Sequence, residues 1–355
     1  MIRVALHVPA GSRGGPRTYG VALARALAER DDVDIVVLTD HPAAFPGMPT
    51  VKLPRPRTYA DHVVVPRLLR QLAPDVYHNT KNALPSRVPC PAVVTIHDLA
   101  YHHFPETFGL ASRLYLRYHH VDCARRADKI VAVSHHAKAD LADTLHVAPE
   151  KIRVVHHGVA EDFRRPLRRL GLDVAQPYVL SVGTIQARKN LDVLVEAAAL
   201  LREGGLDFTL AIAGRRGWKT RAFDAACRKT PVKLLGLVGD EELPALYAGA
   251  AAFVQPSSYE GFGLTVAEAM AAGAPVIAAE AGSLPEVVGE AGLLVPPRDV
   301  GALAHALKGV LFDLELAAEM RALGRERSRQ FTWERSAEAH VEVYLDTALR
   351  RVAVC

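Results

Sequence analysis

The chain has 355 residues, half of them hydrophobic, with 43 Lys and Arg against 39 Asp and Glu and a formal net charge of +4. That length is too great for one ordinary core and predicts two domains, with apolar residues enough for large buried sheets. The balance of charge is too weakly basic to argue for nucleic acid; it suits an anionic small ligand or an anionic membrane surface equally well.

Cys90, Cys123, Cys227 and Cys355 show no C-x-x-C spacing, which reads as free thiols in a reducing compartment. No run approaches the roughly 18 apolar residues of a membrane span. The first eight residues read as a strand rather than a signal peptide. A cytoplasmic protein is the expectation.

Residues 2–8 read as the first strand of a parallel sheet. Gly11-Ser12-Arg13-Gly14-Gly15-Pro16 follows as a turn suited to a helix start. A helix to about Arg30 and a strand over 33–38 complete a βαβ unit. Its glycine turn lies at a strand's carboxyl end, where open α/β sheets bind ligands. The turn is not Gly-x-Gly-x-x-Gly, so a dinucleotide fingerprint is absent. Asp32-Val33-Asp34 has the form of an Asp-x-Asp metal motif, but it sits at a strand start, opposite the functional edge, and reads as a solvated turn. Residues 42–66 are rich in proline and predict a loop, followed by a helix near 61–72.

Further strands are predicted over 75–79 and 92–96. The second ends in His97-Asp98-Leu99, which sets His97 at the same edge as the glycine turn. The helix near 110–127 carries Arg113, Tyr115, Arg117, Tyr118, His119 and His120, a basic and aromatic face suited to a solvated surface, lipid headgroups or a sugar acceptor. Its histidines lack metal spacing, so no zinc site is predicted. Residues 129–133 are a strand, Ser134 caps the next helix, and 151–155 close the first sheet. The polar stretch 161–176, with Arg164-Arg165-Pro166 and Arg168-Arg169, predicts the domain boundary. Domains of 1–165 and 170–332 follow.

The second half begins with a strand at 178–182 and the turn Gly183-Thr184-Ile185-Gln186-Ala187-Arg188-Lys189-Asn190. A strand, a glycine, a basic pair and a helix start capped by Asn190 form a candidate anion site. After a strand at 232–235, Asp240 is expected to cap a helix with Glu241 and Glu242 in its first turn.

The rest of the chain is organised around Glu260-Gly261-Phe262-Gly263-Leu264-Thr265-Val266-Ala267-Glu268. A short apolar strand precedes it and a helix opens near Leu264. Gly261 and Gly263 permit close backbone approach and positive φ. The helix start offers N–H groups and the positive end of its dipole to a phosphate. Glu260 and Glu268 belong to different elements, so each can accept hydroxyls from a different part of one elongated ligand. A phosphate between two sets of hydroxyls describes a nucleotide sugar. Taken alone, Glu-x7-Glu is equally consistent with a solvated loop and a dipole-satisfying helix residue. Strands at 275–278 and 293–295, a helix from Asp299, and helices over 315–329 and 333–350 complete the chain.

This stretch resembles the Glu-x7-Glu motif of the retaining family 4 glycosyltransferases. The resemblance extends through Glu268-Ala269-Met270-Ala271-Ala272-Gly273-Ala274-Pro275 and Gly282-Ser283-Leu284-Pro285-Glu286, and to His97-Asp98-Leu99 with Phe104-Pro105-Glu106. It implies the GT-B fold: two facing, Rossmann-like, doubly wound α/β domains with a cleft, the C-terminal helix 333–355 packing back on the first. It further implies transfer of a hexose from a nucleotide-diphosphate sugar to an acceptor hydroxyl with retained configuration, needing neither cofactor nor metal. The roles implied place Gly14, Gly15, Arg188 and Lys189 at the diphosphate. The amides of Gly261, Phe262, Gly263, Leu264 and Thr265 would serve sugar and phosphate, Glu260 the sugar hydroxyls, Glu268 the ribose, and His97 charge developing near the sugar. Relatives often carry Arg after the strand glycine, where this chain has Thr184, so that phosphate contact calls for cover, for which Arg215 and Arg216 after the next strand are the candidates.

Gly-Thr-Ile-x-x-Arg-Lys-Asn and Ser-Leu-Pro-Glu look like the mannosyltransferase-like subgroup, so GDP-mannose is the first expected donor and a UDP-hexose the next. A nucleotide-sugar 2-epimerase and a non-catalytic nucleotide-sugar-binding subunit are the rival readings. The acceptor, a carbohydrate, a lipid-linked sugar or a small molecule, is not named by the sequence.

Overall fold

The computed structural model describes residues 1–11, 14–165, 171 and 173–352. Ser12 and Arg13 of the first glycine turn, Pro166, Arg168 and Arg169 of the expected linker, and Cys355 lie outside the described residues. Contacts divide the chain into two compact units: Met1–His103 with Gly109–Gly158 and the chain from Thr332, and Phe104–Phe108 with Val159–Phe331.

In the first unit, strands β1 (Ile2–His7), β2 (Val33–Thr39), β3 (Thr50–Lys52), β4 (Val76–Asn79), β5 (Ala92–Ile96), β6 (Lys129–Ala132) and β7 (Ile152–Val154) form a parallel sheet. Their order among the described residues is β3-β2-β1-β4-β5-β6-β7. Val4 pairs with Ile35 on one side and Val76 on the other. Strands β4, β5 and β6 are buried along their whole length, as expected of strands covered on both faces. The order reverses between β1 and β4, so the ends of these strands open at the switch point where doubly wound sheets bind ligands.

The second unit carries β8 (Tyr178–Val182), β9 (Thr209–Ala213), β10 (Lys233–Gly236), β11 (Ala252–Gln255), β12 (Val276–Ala279) and β13 (Leu293–Val295), in the order β10-β9-β8-β11-β12-β13. Every pairing is parallel. Its switch point lies between β8 and β11, the two strands that lead into the Gly183–Lys189 turn and the Glu260 loop. The helix Trp333–Val352 belongs to the first unit: Trp333, Val341 and Tyr344 join its core beside Tyr19, Leu23 and Val76.

Several local expectations change. The 42–66 segment contains the edge strand β3, which its prolines hide from a reading of the sequence. The expected 61–72 helix begins at Arg57 and passes through a π turn at Ala60–Val64 before Val65–Leu72. The helix expected from Asp240 starts at Leu243, with Pro244 in its first turn and Glu242 before it, since Pro fits only the opening positions of a helix. Asp32 pairs with Arg30 at 2.7 Å and Asp34 with Arg3 at 3.3 Å.

Candidate functional site

The second unit assembles its candidate site from the loops after β8 and β11. At Gly183 the chain turns with φ 149°, and a Cβ on Gly214, itself at φ 143°, would lie 1.9 Å from the Gly183 carbonyl oxygen. The ends of β8 and β9 therefore approach this closely only as glycines. A single 3-10 turn, Ala187–Lys189, then carries both cations, and Asn190 follows in the left-handed region at φ 47°. Asn190 does not cap the helix Leu191–Glu203 with its side chain, contrary to expectation. Its Nδ2 instead donates to the Pro256 carbonyl (2.9 Å) and Ser258 Oγ (2.6 Å), while Arg298 donates to its Oδ1 (3.1 Å). The Ser258 amide completes the lacing by donating to the Arg188 carbonyl at 3.0 Å.

Those bonds bring Arg188 and Lys189 against Glu260. Lys189 Nζ donates to Glu260 Oε1, and Arg188 donates to Glu260 Oε2 at 3.3 Å and to the Tyr259 carbonyl. Gln255, the last residue of β11, gives its amide Nε2 to Glu260 Oε1 at 2.9 Å. Ser283 fixes the loop from the other side, its amide and hydroxyl donating to the Glu260 carbonyl at 3.2 and 3.0 Å. Burial alone would raise the Glu260 carboxyl, but Lys189 and then Arg188 outweigh it and hold it down to about 2. Glu260 is thus ionised and paired with the two cations expected at a diphosphate.

The helix Leu264–Ala272 starts three residues beyond the Gly261 turn. Gly263 stands at its N-cap with φ 92°, and no side chain caps it. Its opening amides and dipole are therefore directed at whatever occupies the loop. The Phe262 ring is buried edge-on against Phe331, with centroids 5.5 Å apart, so its contribution to a ligand is backbone. Leu264 and Thr265 are part-exposed. Glu268 is buried and receives a hydrogen bond from the Tyr247 hydroxyl at 3.0 Å. Burial pushes its carboxyl up to about 8, against the smaller downward pull of Tyr247. Arg216, which follows β9 at the same sheet edge, pairs with Asp224 at 2.5 Å.

In the first unit, His97 follows β5 directly, and its Nε2 lies 3.0 Å from the Thr80 carbonyl. A carbonyl only accepts, so Nε2 carries the proton and Nδ1 is left as the acceptor of the neutral ring. Burial lowers the His97 pKa, with Thr80 and Asp98 opposing. The Tyr19 ring stands edge-on to the imidazole, with centroids 5.0 Å apart. Tyr19 is itself fixed by Thr95 Oγ1 and His340 Nε2, each 2.8 Å from its hydroxyl. Gly14 opens the helix Gly15–Ala28 at φ 133°, and both Gly14 and Gly15 are exposed at the carboxyl edge of β1. Gln255 and Ser257 are not singled out by the sequence, which offers Asn190 only as a helix cap and Ser283 only as part of the family motif. The one available signal was a glutamine closing the otherwise apolar run 251–254, since buried amides are found where they have partners.

Residues 13–163 match the family described as Glycosyltransferase Family 4, and residues 176–313 match Glycosyl transferases group 1. An O-antigen chain mannosyltransferase B from Escherichia coli is 34% identical over 291 residues, covering 78% of this chain and 75% of that protein. A D-inositol 3-phosphate glycosyltransferase from Streptomyces scabiei is 33% identical over 62% of this chain, which spans 54% of that relative's length. Among solved structures, sucrose-phosphate synthase from Thermosynechococcus elongatus aligns with a TM-score of 0.79 at 24% identity, covering 98% of this chain and 99% of its own. Anabaena Alr3699/HepE, solved with UDP-glucose, aligns with a TM-score of 0.77 at 18% identity, over 98% and 100%. At these identities the two structures establish the shared fold.

Proposed function

Because this chain belongs to the family 4 glycosyltransferases, with a group 1 region in its second half, we propose that it moves a hexose from a nucleotide-diphosphate sugar to an acceptor hydroxyl with retention at the anomeric carbon. The observation that carries this reading is the loop pair of the second unit. Two cations, an ionised glutamate and an uncapped helix start converge at the switch point of one parallel sheet. That set answers the diphosphate and the sugar hydroxyls of such a donor.

Within this reading, Lys189, Arg188 and the amides from Gly261 to Thr265 hold the diphosphate and sugar, Glu260 orients the sugar hydroxyls, and Glu268 meets the ribose. A protonated Glu268 both donates and accepts, which suits a diol. Gly14 and Gly15 give the first unit an exposed backbone turn for the phosphates. His97, neutral, offers the Nδ1 lone pair to a sugar hydroxyl rather than a full positive charge. The bond from the anomeric carbon to the diphosphate breaks, the acceptor oxygen bonds on the same face, and its proton passes to the leaving phosphate. Cations and helix amides stabilise that leaving group without a resident metal. GDP-mannose is the proposed donor, supported by the likeness to the mannosyltransferase over three-quarters of its length.

Among the described residues no helix is long and apolar enough to cross a membrane. The proposed peripheral contact instead uses the start of the helix Leu110–Arg126, where Leu110, Leu114, Tyr115 and Tyr118 are exposed among Arg113 and Arg117. Sedimentation with phosphatidylglycerol vesicles, absent with phosphatidylcholine alone, is the expected result; no sedimentation with either contradicts it.

The donor reading is tested by thermal-shift titration with GDP, UDP and ADP, with and without EDTA. A ligand at a hundred times its dissociation constant adds about 2.7 kcal/mol. Selective stabilisation by GDP, indifferent to EDTA, is the expected outcome. Selective stabilisation by UDP overturns the mannosyl donor, loss of the shift in EDTA overturns the metal-free site, and no shift with any nucleotide overturns the donor reading.

A further inference from the structure

The Glu260 carboxylate accepts from Lys189, Arg188 and Gln255, and the Ser257 hydroxyl beside it helps to hold it ionised. Three of the roughly four lone-pair sites of a carboxylate are thus taken, so a pair of sugar hydroxyls reaches it only when a partner leaves. These four neighbours are held very differently. Gln255 is 1% exposed and bonded at both ends of its amide. Nε2 donates to Glu260 at 2.9 Å and to Ser257 Oγ at 2.6 Å, and Oε1 accepts from Thr265 at 3.2 Å. Ser257 is fully buried. Arg188 is clasped to the Tyr259 carbonyl as well as to Glu260. Lys189 ends in a flexible stem, and its ammonium lies 3.8 Å from where a Gly183 Cβ would stand.

We propose that the donor diphosphate draws Lys189 away from Glu260, and that Gln255 and Ser257 are positioning residues that hold the Glu260 carboxylate ready for the sugar hydroxyls when the lysine leaves. The inference rests on the donor reading above and adds a coupling to it. Phosphate binding and sugar recognition share one cation, so Glu260 opposes the bare diphosphate and favours the diphosphate that carries a sugar. Strand β11 supplies the fixed half of the device through its last residue, and the 3-10 turn after β8 supplies the movable half.

The test is calorimetric titration of the full chain with GDP, UDP, GDP-mannose and UDP-glucose, comparing each nucleotide sugar with its bare diphosphate. Glu260→Gln, which leaves Lys189 without its counter-charge, is expected to bind the bare diphosphate about three- to tenfold more tightly and to lose the additional affinity contributed by the sugar. Gln255→Met keeps the length and volume of the side chain but donates nothing. It is expected to leave the bare diphosphate within about twofold of wild type and to weaken the nucleotide sugar about tenfold, as loss of a hydrogen bond to a charged group does. Ser257→Ala is expected to shift the same ratio in the same direction by a smaller factor, and it carries the test should Gln255→Met fail to fold. Unchanged or weaker diphosphate binding in Glu260→Gln overturns the sharing of Lys189. Equal weakening of both ligands, or of neither, in Gln255→Met and Ser257→Ala overturns the positioning role. Wild-type protein that binds none of the four ligands overturns the donor reading itself, and the proposal with it.

Discussion

Glu260 and Glu268 are eight residues apart, and their surroundings treat a carboxyl largely withdrawn from solvent in opposite ways. Glu260 is held down to about 2 and Glu268 is pushed up to about 8. Burial acts on both in the same direction. The difference is the company: Lys189 and Arg188 at one, a tyrosine hydroxyl at the other. A paired glutamate motif can thus supply one charged and one neutral group to a single ligand, because counter-charge decides which of them ionises.

The comparison is broken most severely by removing the charged member. Glu260→Ala leaves Lys189 and Arg188, each about 13% exposed, without a counter-ion, at an expected cost of about 3 kcal/mol. Glu268→Gln keeps the Tyr247 bond and is expected to cost little; urea unfolding of the two variants side by side checks the contrast. His97→Ala extends the test to the imidazole of the first unit. Turnover is expected to fall about a hundredfold with nucleotide affinity unchanged, as read by donor consumption and calorimetry.

The pH dependence sharpens the contrast further. Glu268 has a folded pKa raised from 4.5 to about 8, so its contribution is complete below 4.5 and lost as pH rises toward 8. Glu260, lowered from 4.5 to about 2, contributes above 4.5 and loses that contribution as pH falls toward 2. Replacing Glu268 by Gln is expected to flatten the fall in stability between pH 4.5 and 8, and Glu260→Gln the fall between pH 4.5 and 2. The smallest effect is structural: Asn190→Gly keeps the left-handed turn but loses three hydrogen bonds, at about 1–2 kcal/mol by thermal melting.

The parallel sheets were legible because their strands are short apolar runs separated by glycine and helix signals. Glu260 and Glu268 were legible because they lie in a long motif, and Lys189 because it follows a strand and a glycine turn beside a second cation. Asn190 was read as a helix cap, which its position permits, whereas its side chain ties down a loop 66 residues away in sequence. Gln255 was passed over for a similar reason: its importance lies in distances to Glu260, Ser257 and Thr265 that only folding sets. Strand β3 escaped because proline signals a loop more strongly than three paired residues signal an edge strand.

On the proposed reading, the loops after β8 and β11 bind a nucleotide-diphosphate sugar through Lys189 and Glu260. Calorimetry of GDP-mannose and UDP-glucose with wild type and Lys189→Met tests it most directly. Saturable binding of GDP-mannose by wild type, weakened at least about tenfold in the variant, is the expected result. Wild-type protein that binds neither sugar nucleotide, or a Lys189→Met variant that binds as well as wild type, would contradict it.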